Sequence, residues 1–277
     1  MDWNFLYYIL YGFLAGLGEL LPVSSTAHGY LIQLMSRFDT FEPSLLLAVH
    51  LACFLAICIF SRGRIGHIRR ELKIASLPVN KRKRQPDMTA VLDGKVILTA
   101  LIPLLIGVGF SSYASRRLGT LPAISLLLLI SGVVLYIPQF LPGANKDSRS
   151  LSRKDAVILG ISGAVGVIPG ISRMGTMISV GLMKGCERSY ILDIALLASL
   201  PVLLGLMIVD CVMIAMAGTV VGTMMLIYCV LAAAAAFGGA WLAMVIMRFL
   251  SVKSSFYGFA YYNWGLALFS FLVYLMI

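Results

Sequence analysis

Long apolar runs separated by short polar segments make up most of this chain. Six of the runs approach the roughly 20 residues that a helix needs to cross the hydrocarbon core of a bilayer. They are Ser44–Phe60, Val96–Tyr113, Leu121–Leu141, Ile191–Ala217, Val220–Met247 and Tyr257–Met276. The pattern therefore predicts an all-α integral membrane protein with six transmembrane helices.

Two further apolar segments are interrupted in the middle by proline. Trp3–Met35 is broken at Pro22, and Ala156–Met183 is broken at Pro169 and Gly170. A half-length helix, a polar tip and a second half-length helix are typical of a re-entrant hairpin. Non-helical backbone at that depth is tolerated only where it is buried in protein or lines a wet cavity. We therefore predict two re-entrant helix-loop-helix hairpins.

The basic residues predict the orientation of these segments. The loop 62–95 holds ten Lys and Arg residues. If each hairpin returns to the side that it entered, 18 of the 22 basic residues lie on one side, against Arg37, Arg116 and Arg117 on the other. The positive-inside rule then makes loop 62–95 cytoplasmic. This topology accounts for the net charge of +10, and we expect no nucleic-acid partner.

The same membrane topology predicts internal symmetry. Each hairpin enters from the opposite side and is followed by three spans, so residues 1–141 and 150–277 form inverted repeats within a single membrane domain, 1–277. Such repeats bring their broken helices together near the middle of the bilayer, where transporters bind ligands.

Composition supports the membrane class. Apolar residues make up 60% of the chain and charged residues 12%, whereas a soluble domain carries about 25% charge. The start of the chain lacks a basic segment and a cleavage site, so we expect the first segment to be retained. The five cysteines, an odd number set mostly in apolar runs, are interpreted as packing residues.

The first break carries chemical groups that are costly at membrane depth. Glu19 precedes Pro22, and Ser24, Ser25, Thr26 and His28 follow it. An ionisable residue inside a membrane segment is by default a functional-site hypothesis. Ser25 and His28 are spaced i, i+3 and can share one face of the returning helix.

The second break also carries polar groups, and one of them is a cationic side chain. Gly170 permits close backbone approach, Ser172 can cap the returning helix, Arg173 offers a bidentate fork for phosphate, and Thr176 adds a hydroxyl. Two helix N-termini and a guanidinium suit an anion. Together with Glu19 and with Ser25 or His28 as nucleophile, they indicate phosphoryl transfer.

Simpler interpretations exist for most of these residues. Glu19 and Arg173 could form a structural ion pair, and the serines could act only as helix caps. His50 is interpreted as a packed or hydrogen-bonded residue of its span and His67 as part of a solvated loop. Asp193 is expected to cap its span, and Asp210 to be solvated near the outer end.

The two breaks resemble the motifs of a known family. Glu19–His28 is similar to the E-F-L-P-V-S-S-T/S-G-H motif of the undecaprenyl pyrophosphate phosphatase family, also called BacA. Pro169–Arg173 resembles the start of its P-G-x-S-R-S-G-x-T motif. Length, hairpin positions and span count fit along the whole chain.

The resemblance implies a function. The family removes the terminal phosphate of undecaprenyl pyrophosphate at the outer face of the plasma membrane, which recycles a lipid carrier of cell-wall synthesis and confers bacitracin resistance. It implies Ser25 as nucleophile with His28 as rival, and Arg173 as phosphate clamp. Glu19 and His28 are implied as activators or as partners of the phosphate and of Mg²⁺ or Ca²⁺. Ser24, Thr26, Gly170, Ser172 and Thr176 are expected to bind substrate. A homodimer is also compatible with the resemblance.

The chain departs from the family pattern at three positions. The family has a second acid four residues before the conserved Glu, where this chain has Ala15. Met174 and Met177 replace a serine and a threonine of the second motif. These changes leave fewer potential ligands at the expected metal site. A non-hydrolytic transporter of lipid phosphates or other anions, or a paralogue that sequesters the pyrophosphate lipid, is therefore the alternative function.

Overall fold

The structure, a computed structural model, describes residues 4–36, 42–142, 146–218, 221–253 and 256–276. The sequence predictions for Met1–Trp3 and Arg37 lie outside these ranges. The described residues form eleven α-helices: α1 Asn4–Leu20, α2 Ser25–Ser36, α3 Pro43–Phe60, α4 Arg62–Ser76, α5 Met88–Leu118, α6 Leu121–Tyr136, α7 Arg153–Val165, α8 Arg173–Met183, α9 Arg188–Ala217, α10 Thr223–Lys253 and α11 Gly258–Met276. Short 3₁₀ turns cover Val79–Lys81 and Ile137–Phe140.

Six of the helices are long and apolar enough to cross a membrane, which confirms the predicted number of spans. They are α3, α5, α6 with the turn that follows it, α9, α10 and α11. The chain is thus a multi-pass membrane protein. Helix α5 begins at Met88, well before the predicted Val96, because Asp87 caps it by accepting a hydrogen bond from the Thr89 amide at 2.9 Å.

The basic segment between the first two spans is folded rather than open. It begins with α4, whose buried Glu71 accepts hydrogen bonds from Arg84 and from the Asp87 amide, each at 2.9 Å. The Arg84 guanidinium lowers the pKa of Glu71 to about 2, so this carboxylate is ionised at neutral pH. His67 lies on α4 and bonds Asp87 at 3.0 Å, so its assignment to a loop was wrong, whereas its side chain is 43% exposed and thus solvated as predicted.

The two broken segments fold into helical hairpins. Helices α1 and α2 pack against each other on either side of Pro22, and α7 and α8 do so on either side of Pro169 and Gly170. The pairing confirms the position of the breaks. The depth of the hairpins in a bilayer stays a prediction.

Small residues let each hairpin approach a spanning helix of the other half. A Cβ atom on Gly16 of α1 would lie 2.1 Å from the Ala236 carbonyl oxygen of α10. A Cβ atom on Gly160 of α7 would lie 2.4 Å from the Ala100 carbonyl oxygen of α5. Close backbone contact through small residues is a common way for helices to associate in membranes.

The main helix contacts occur in sets that the two halves share. Helix α1 packs on α10 as α7 packs on α5, while α3 packs on α9 and α6 on α11. These pairs are the ones expected if α3, α5 and α6 correspond to α9, α10 and α11. The assignment of residues 1–141 and 150–277 as inverted repeats stays a prediction.

Two acids of α9 have partners that differ from the expectation. Asp193 does not cap α9, whose N-cap is Glu187; it binds Arg248 of α10 at 2.5 Å and also Arg64 of α4. Asp210, expected in solvent, is buried and lies 2.6 Å from Nδ1 of His50. Both expectations were wrong because the partners come from distant parts of the sequence.

Candidate active site

The tips of the two hairpins touch each other inside the helix bundle. The Gly170 amide donates to Oγ of Ser24 at 3.1 Å and to Oγ1 of Thr26 at 3.3 Å. In return, Oγ of Ser172 donates to the Leu21 carbonyl at 3.3 Å. The motifs that the sequence placed 147 positions apart therefore form one site.

Each tip is hydrogen-bonded to a spanning helix. Ser131 of α6 accepts a hydrogen bond from the Ser172 amide at 3.3 Å. Asn263 of α11 is fully buried and donates to the Pro22 carbonyl at 3.1 Å. These bonds satisfy backbone groups of the tips that would otherwise be unpaired inside the protein.

The local sequence starts a helix immediately after each tip. Ser24 precedes α2 and accepts from the Ala27 amide at 3.3 Å, and Ser172 caps α8 by accepting from the Gly175 amide at 3.1 Å. The predicted capping role is confirmed at both serines. Gly170 has φ of 91°, a conformation that other residues rarely adopt. Both helices thus begin at the site, where their positive dipole ends favour an anion.

Three side chains form a continuous hydrogen-bonded row between the tips. Oγ of Ser25 donates to Oε1 of Glu19 at 2.9 Å. Nη2 of Arg173 donates to Oε2 of the same carboxylate at 2.8 Å. A nucleophile, a base in contact with it and a cation that orients the base have the arrangement of an activated hydroxyl.

Arg173 retains unused hydrogen-bonding capacity. Its side chain is only 7% exposed, and Glu19 is 14% exposed. Among the described residues, Nε of Arg173 has no hydrogen-bond partner although it is buried. A buried guanidinium N–H without a partner is costly, so the site is suited to an acceptor such as a phosphate oxygen.

His28 lies beside the row rather than in it. Its Nδ1 is 2.7 Å from the Ser24 carbonyl oxygen, and its Nε2 is 2.6 Å from the hydroxyl of Tyr262 on α11. Because a carbonyl oxygen only accepts, Nδ1 carries the proton and Nε2 of the neutral ring accepts from Tyr262. Both ring nitrogens are therefore occupied, which favours Ser25 over His28 as the nucleophile.

The other predicted substrate ligands bond to the protein itself. Thr176 donates to the carbonyl oxygens of Ser172 and Arg173, each at 3.0 Å. Thr26 is exposed and also bonds Ser24 at 2.9 Å. These bonds lie within one tip each, and of the contacts of Thr26 and Thr176 only the bond that Thr26 accepts from the Gly170 amide joins one tip to the other. The role of these residues in substrate binding stays a prediction.

An apolar cavity of about 540 Å³ adjoins the first tip. It connects His28 and Tyr262 with apolar side chains of α1, α10 and α11, among them Leu14, Leu17, Leu250 and Phe259. A larger groove of about 1270 Å³ runs between α5 and α7 and reaches the second tip only at Val167 and Ile168. The smaller cavity is therefore the one that places an apolar ligand next to the polar row.

The residues present do not fit a divalent cation held by the protein. Glu19 is the one carboxylate of the row, and Ser25 and Arg173 already occupy its two oxygens. Ala15, one turn earlier on α1, is buried and offers no oxygen ligand. Within the described ranges, no group of three or more His, Cys, Asp or Glu side chains could hold a metal ion.

Sequence reasoning did not identify the two contributions of α11, Tyr262 and Asn263. The available signal was a polar Tyr-Tyr-Asn stretch, residues 261–263, at the start of an otherwise apolar span. The interpretation of His50 as a packed or hydrogen-bonded span residue is confirmed by its bond to Asp210, but the sequence did not indicate this partner.

Comparisons with known proteins point to one family. A protein-family model described as "Bacitracin resistance protein BacA" matches residues 8–269. An undecaprenyl-diphosphatase of Thermosipho melanesiensis is 32% identical over 199 residues, which cover 71% of this chain and 74% of that protein. The undecaprenyl-diphosphatase of Thermosipho africanus is 28% identical over 96% of this chain and 99% of its own length. That of Desulforapulum autotrophicum is 29% identical over 95% of both chains.

Proposed function

The chain belongs to the bacitracin resistance protein BacA family, and we propose that it hydrolyses undecaprenyl diphosphate to undecaprenyl phosphate and inorganic phosphate. The proposed reaction takes place at the outer face of the plasma membrane and recycles the lipid carrier. The names of the similar proteins support the substrate, and the row of side chains between the tips supports the chemistry.

The observation that carries the proposal is the shared carboxylate of Glu19. One of its oxygens accepts from the Ser25 hydroxyl and the other from Arg173. This places a base within hydrogen-bond reach of the nucleophile. The hydroxyl that contacts this base lies at the N-terminus of α2, where the helix dipole favours the anionic phosphoryl group that it would accept.

In the first step, Oγ of Ser25 attacks the terminal phosphorus of the diphosphate. Its proton passes to Glu19, the bond to the bridging oxygen breaks, and undecaprenyl phosphate leaves. Arg173 and the N-termini of α2 and α8 stabilise the charge on the transferred phosphoryl group, which is the main contribution that a protein makes to phosphoryl transfer.

In the second step, water attacks the phosphoserine. Glu19 first gives the proton from Ser25 to the departing undecaprenyl phosphate; as a carboxylate it then takes a proton from the attacking water and returns it to the Ser25 oxygen as phosphate leaves. The sum of both steps consumes one water and regenerates Glu19 and Ser25. All three side chains come from one chain, so the reaction does not require a second copy.

The apolar cavity beside His28 accounts for the lipid. It is large enough for the isoprenoid units next to the diphosphate, and the rest of the chain would lie in the bilayer. The His28–Tyr262 pair at its wall places polar groups where the diphosphate meets the hydrocarbon. His28 thereby orients substrate in this proposal.

We further propose that Mg²⁺ or Ca²⁺, expected from the family resemblance, enters bound to the diphosphate rather than to the protein. One carboxylate with both oxygens occupied supports this view. The cation is then part of the substrate.

Transport without hydrolysis is the alternative from another functional class. The meeting of two helical hairpins at their tips supports it, since transporters use broken helices in this way. An anion carrier, however, does not require the Ser25–Glu19 bond.

Phosphate release from undecaprenyl diphosphate by the purified protein tests the proposal. We expect turnover in the wild type and a loss of about 10³-fold in Glu19→Gln, which retains the shape but not the base. Lys184→Gln, at the far end of α8, is the matched control and should retain full activity. Lipid transfer across liposomes without phosphate release would instead favour the transporter.

A further inference from the structure

A buried pair of ionisable side chains lies in the spanning helices outside the proposed catalytic row. Nδ1 of His50 on α3 is 2.6 Å from Oδ2 of Asp210 on α9. The side chains are 13% and 8% exposed. Burying such a pair is costly and rarely improves stability over an apolar pair of the same shape. An ionisable pair in a membrane span therefore needs a functional explanation.

The pair is close enough to the catalytic row to act on it. Helix α3, which carries His50, packs against α1 and α9, and α8 packs against both α1 and α9 in the same buried core. The charges of Glu19 on α1 and Arg173 on α8 therefore act on His50. Tyr11 of α1, buried in the same core, interacts with the charges of both Glu19 and Asp210. In a low-dielectric interior such interactions are stronger than in water.

The surroundings of His50 contain few other ionisable groups. Asp210 faces it from α9, Glu19 from α1 and Arg173 from α8, while Tyr11 of α1 interacts with Glu19 and Asp210. Cys53 lies on its own helix, one turn further along. On α10, Cys229 and Tyr228 interact with Glu42 and Tyr8 towards the start of α3. The His50–Asp210 pair is therefore the group next to the catalytic row whose net charge can change with protonation.

We infer that His50 and Asp210 are positioning residues of the reaction, which set the charge around Glu19 and thereby tune the base that activates Ser25. The pair is neutral overall with a protonated His50 and carries one negative charge otherwise. A change of one charge at this site alters how readily Glu19 accepts the Ser25 proton and how firmly it holds Arg173. The inference rests on the proposed phosphatase function and adds a residue pair to it.

Two variants remove the charge while retaining the shape. His50→Gln keeps a donor towards Asp210 but cannot titrate, and Asp210→Asn removes the fixed negative charge. We expect each to lower kcat about 10-fold with KM within about twofold, and to shift one limb of the pH–rate profile by about 0.5 pH unit or more. Because the two act as a unit, the double variant should be no worse than the poorer single variant.

A matched control separates this role from a structural one. Asp193→Asn removes the acid of another buried ion-pair cluster on the same helix, α9, away from the row. It should lower stability without moving the pH–rate profile. If His50→Gln and Asp210→Asn behave like this control, with unshifted profiles, the inference is overturned.

A measurement that needs no turnover isolates the coupling. The chain has three histidines, so ¹³C-labelled His50 can be assigned by NMR after replacing His28 and His67. We expect Glu19→Gln to move the titration midpoint of His50 by about 0.5 pH unit or more, as expected for two coupled charges. An unmoved midpoint would overturn the coupling even in an active enzyme. A wild type that releases no phosphate would instead refute the proposed function, while the NMR shift would still decide the coupling.

Discussion

At the scale of single residues, the role of Arg173 depends on the planar shape of its side chain. It binds Glu19 through Nη2 and retains a buried Nε for another acceptor. Lysine keeps the charge but not the fork, so the two contacts cannot be made together. The guanidinium thus connects the base with the substrate in our account.

We predict that Arg173→Lys lowers phosphate release about 10²-fold, the typical cost of losing one donor to the transition state. Arg117→Lys, at the exposed end of α5, is the control and should remain fully active. The assay is steady-state turnover on matched amounts of folded protein. Near-normal turnover in the Arg173→Lys protein would contradict the simultaneous contact of Arg173 with Glu19 and with substrate.

The absence of a second acid at residue 15 is testable in the same way. Ala15 and Glu19 are spaced i, i+4 on α1 and face the same side. We predict that Ala15→Glu lowers the Mg²⁺ concentration needed for half-maximal turnover, because two carboxylates form a better oxygen site. Ala15→Gln is the uncharged control of equal size. Identical Mg²⁺ curves for the two variants would show that the new acid does not reach the cation.

Individual residues also mark the limit of what the sequence could predict. Glu19, Ser25 and Arg173 were found because each stands beside a proline break in an apolar run, where a polar residue is conspicuous. His50 and Asp210 lie 160 positions apart in uninterrupted spans, and only the packing of α3 against α9 brings them together. Tyr262 was missed because aromatic residues are common in membrane helices.

At the scale of elements, the site depends on how tightly the two tips turn. Gly170 has a left-handed conformation, and a Cβ atom there would lie 2.8 Å from Cβ of Leu127 on α6. The same amide bonds Ser24 and Thr26 of the other tip. Strain at this residue should therefore disturb the contact between the tips directly.

We predict that Gly170→Ala lowers the free energy of unfolding by about 1–2 kcal/mol, the cost of a left-handed non-glycine residue, and lowers turnover as well. Gly109→Ala on α5 has no atom within 4 Å of the new Cβ and should be neutral or slightly stabilising. Thermal unfolding in detergent and phosphate release measure the two effects. A Gly170→Ala protein as stable as the Gly109→Ala protein would show that the turn is not strained.

The elements themselves were largely predictable, for a physical reason. Spanning helices must be apolar over a fixed length, so their number could be read directly from the sequence. Their ends could not, because α5 is extended by a cap at Asp87 and by polar packing outside the apolar run. Helix α4 was missed for a similar reason, since its charged residues gave no apolar run to detect.

At the scale of the whole molecule, the orientation in the membrane is the prediction on which the outer-face reaction depends. Basic residues concentrate on α4 and the segment that follows it. The positive-inside rule places this side in the cytoplasm. The inverted arrangement of the two halves depends on the same assignment.

We predict that a cysteine at the exposed position Ser76 is not labelled by a membrane-impermeant maleimide in intact cells. Thr120→Cys, exposed between α5 and α6, is the control on the other side and should be labelled. The exposed Cys211 is first replaced by serine. Labelling at residue 76 but not at residue 120 would reverse the topology.

The central claim is that Ser25 carries the phosphoryl group during turnover. The most direct test mixes the protein with undecaprenyl diphosphate labelled in its terminal phosphate, quenches in acid or in alkali, and locates the label by mass spectrometry. Acid preserves phosphoserine, whereas phosphohistidine survives only in alkali, so the two quenches distinguish the candidates. The account predicts acid-stable label on Ser25 that is absent from Ser25→Ala. Label on His28, or normal turnover by Ser25→Ala, would contradict it.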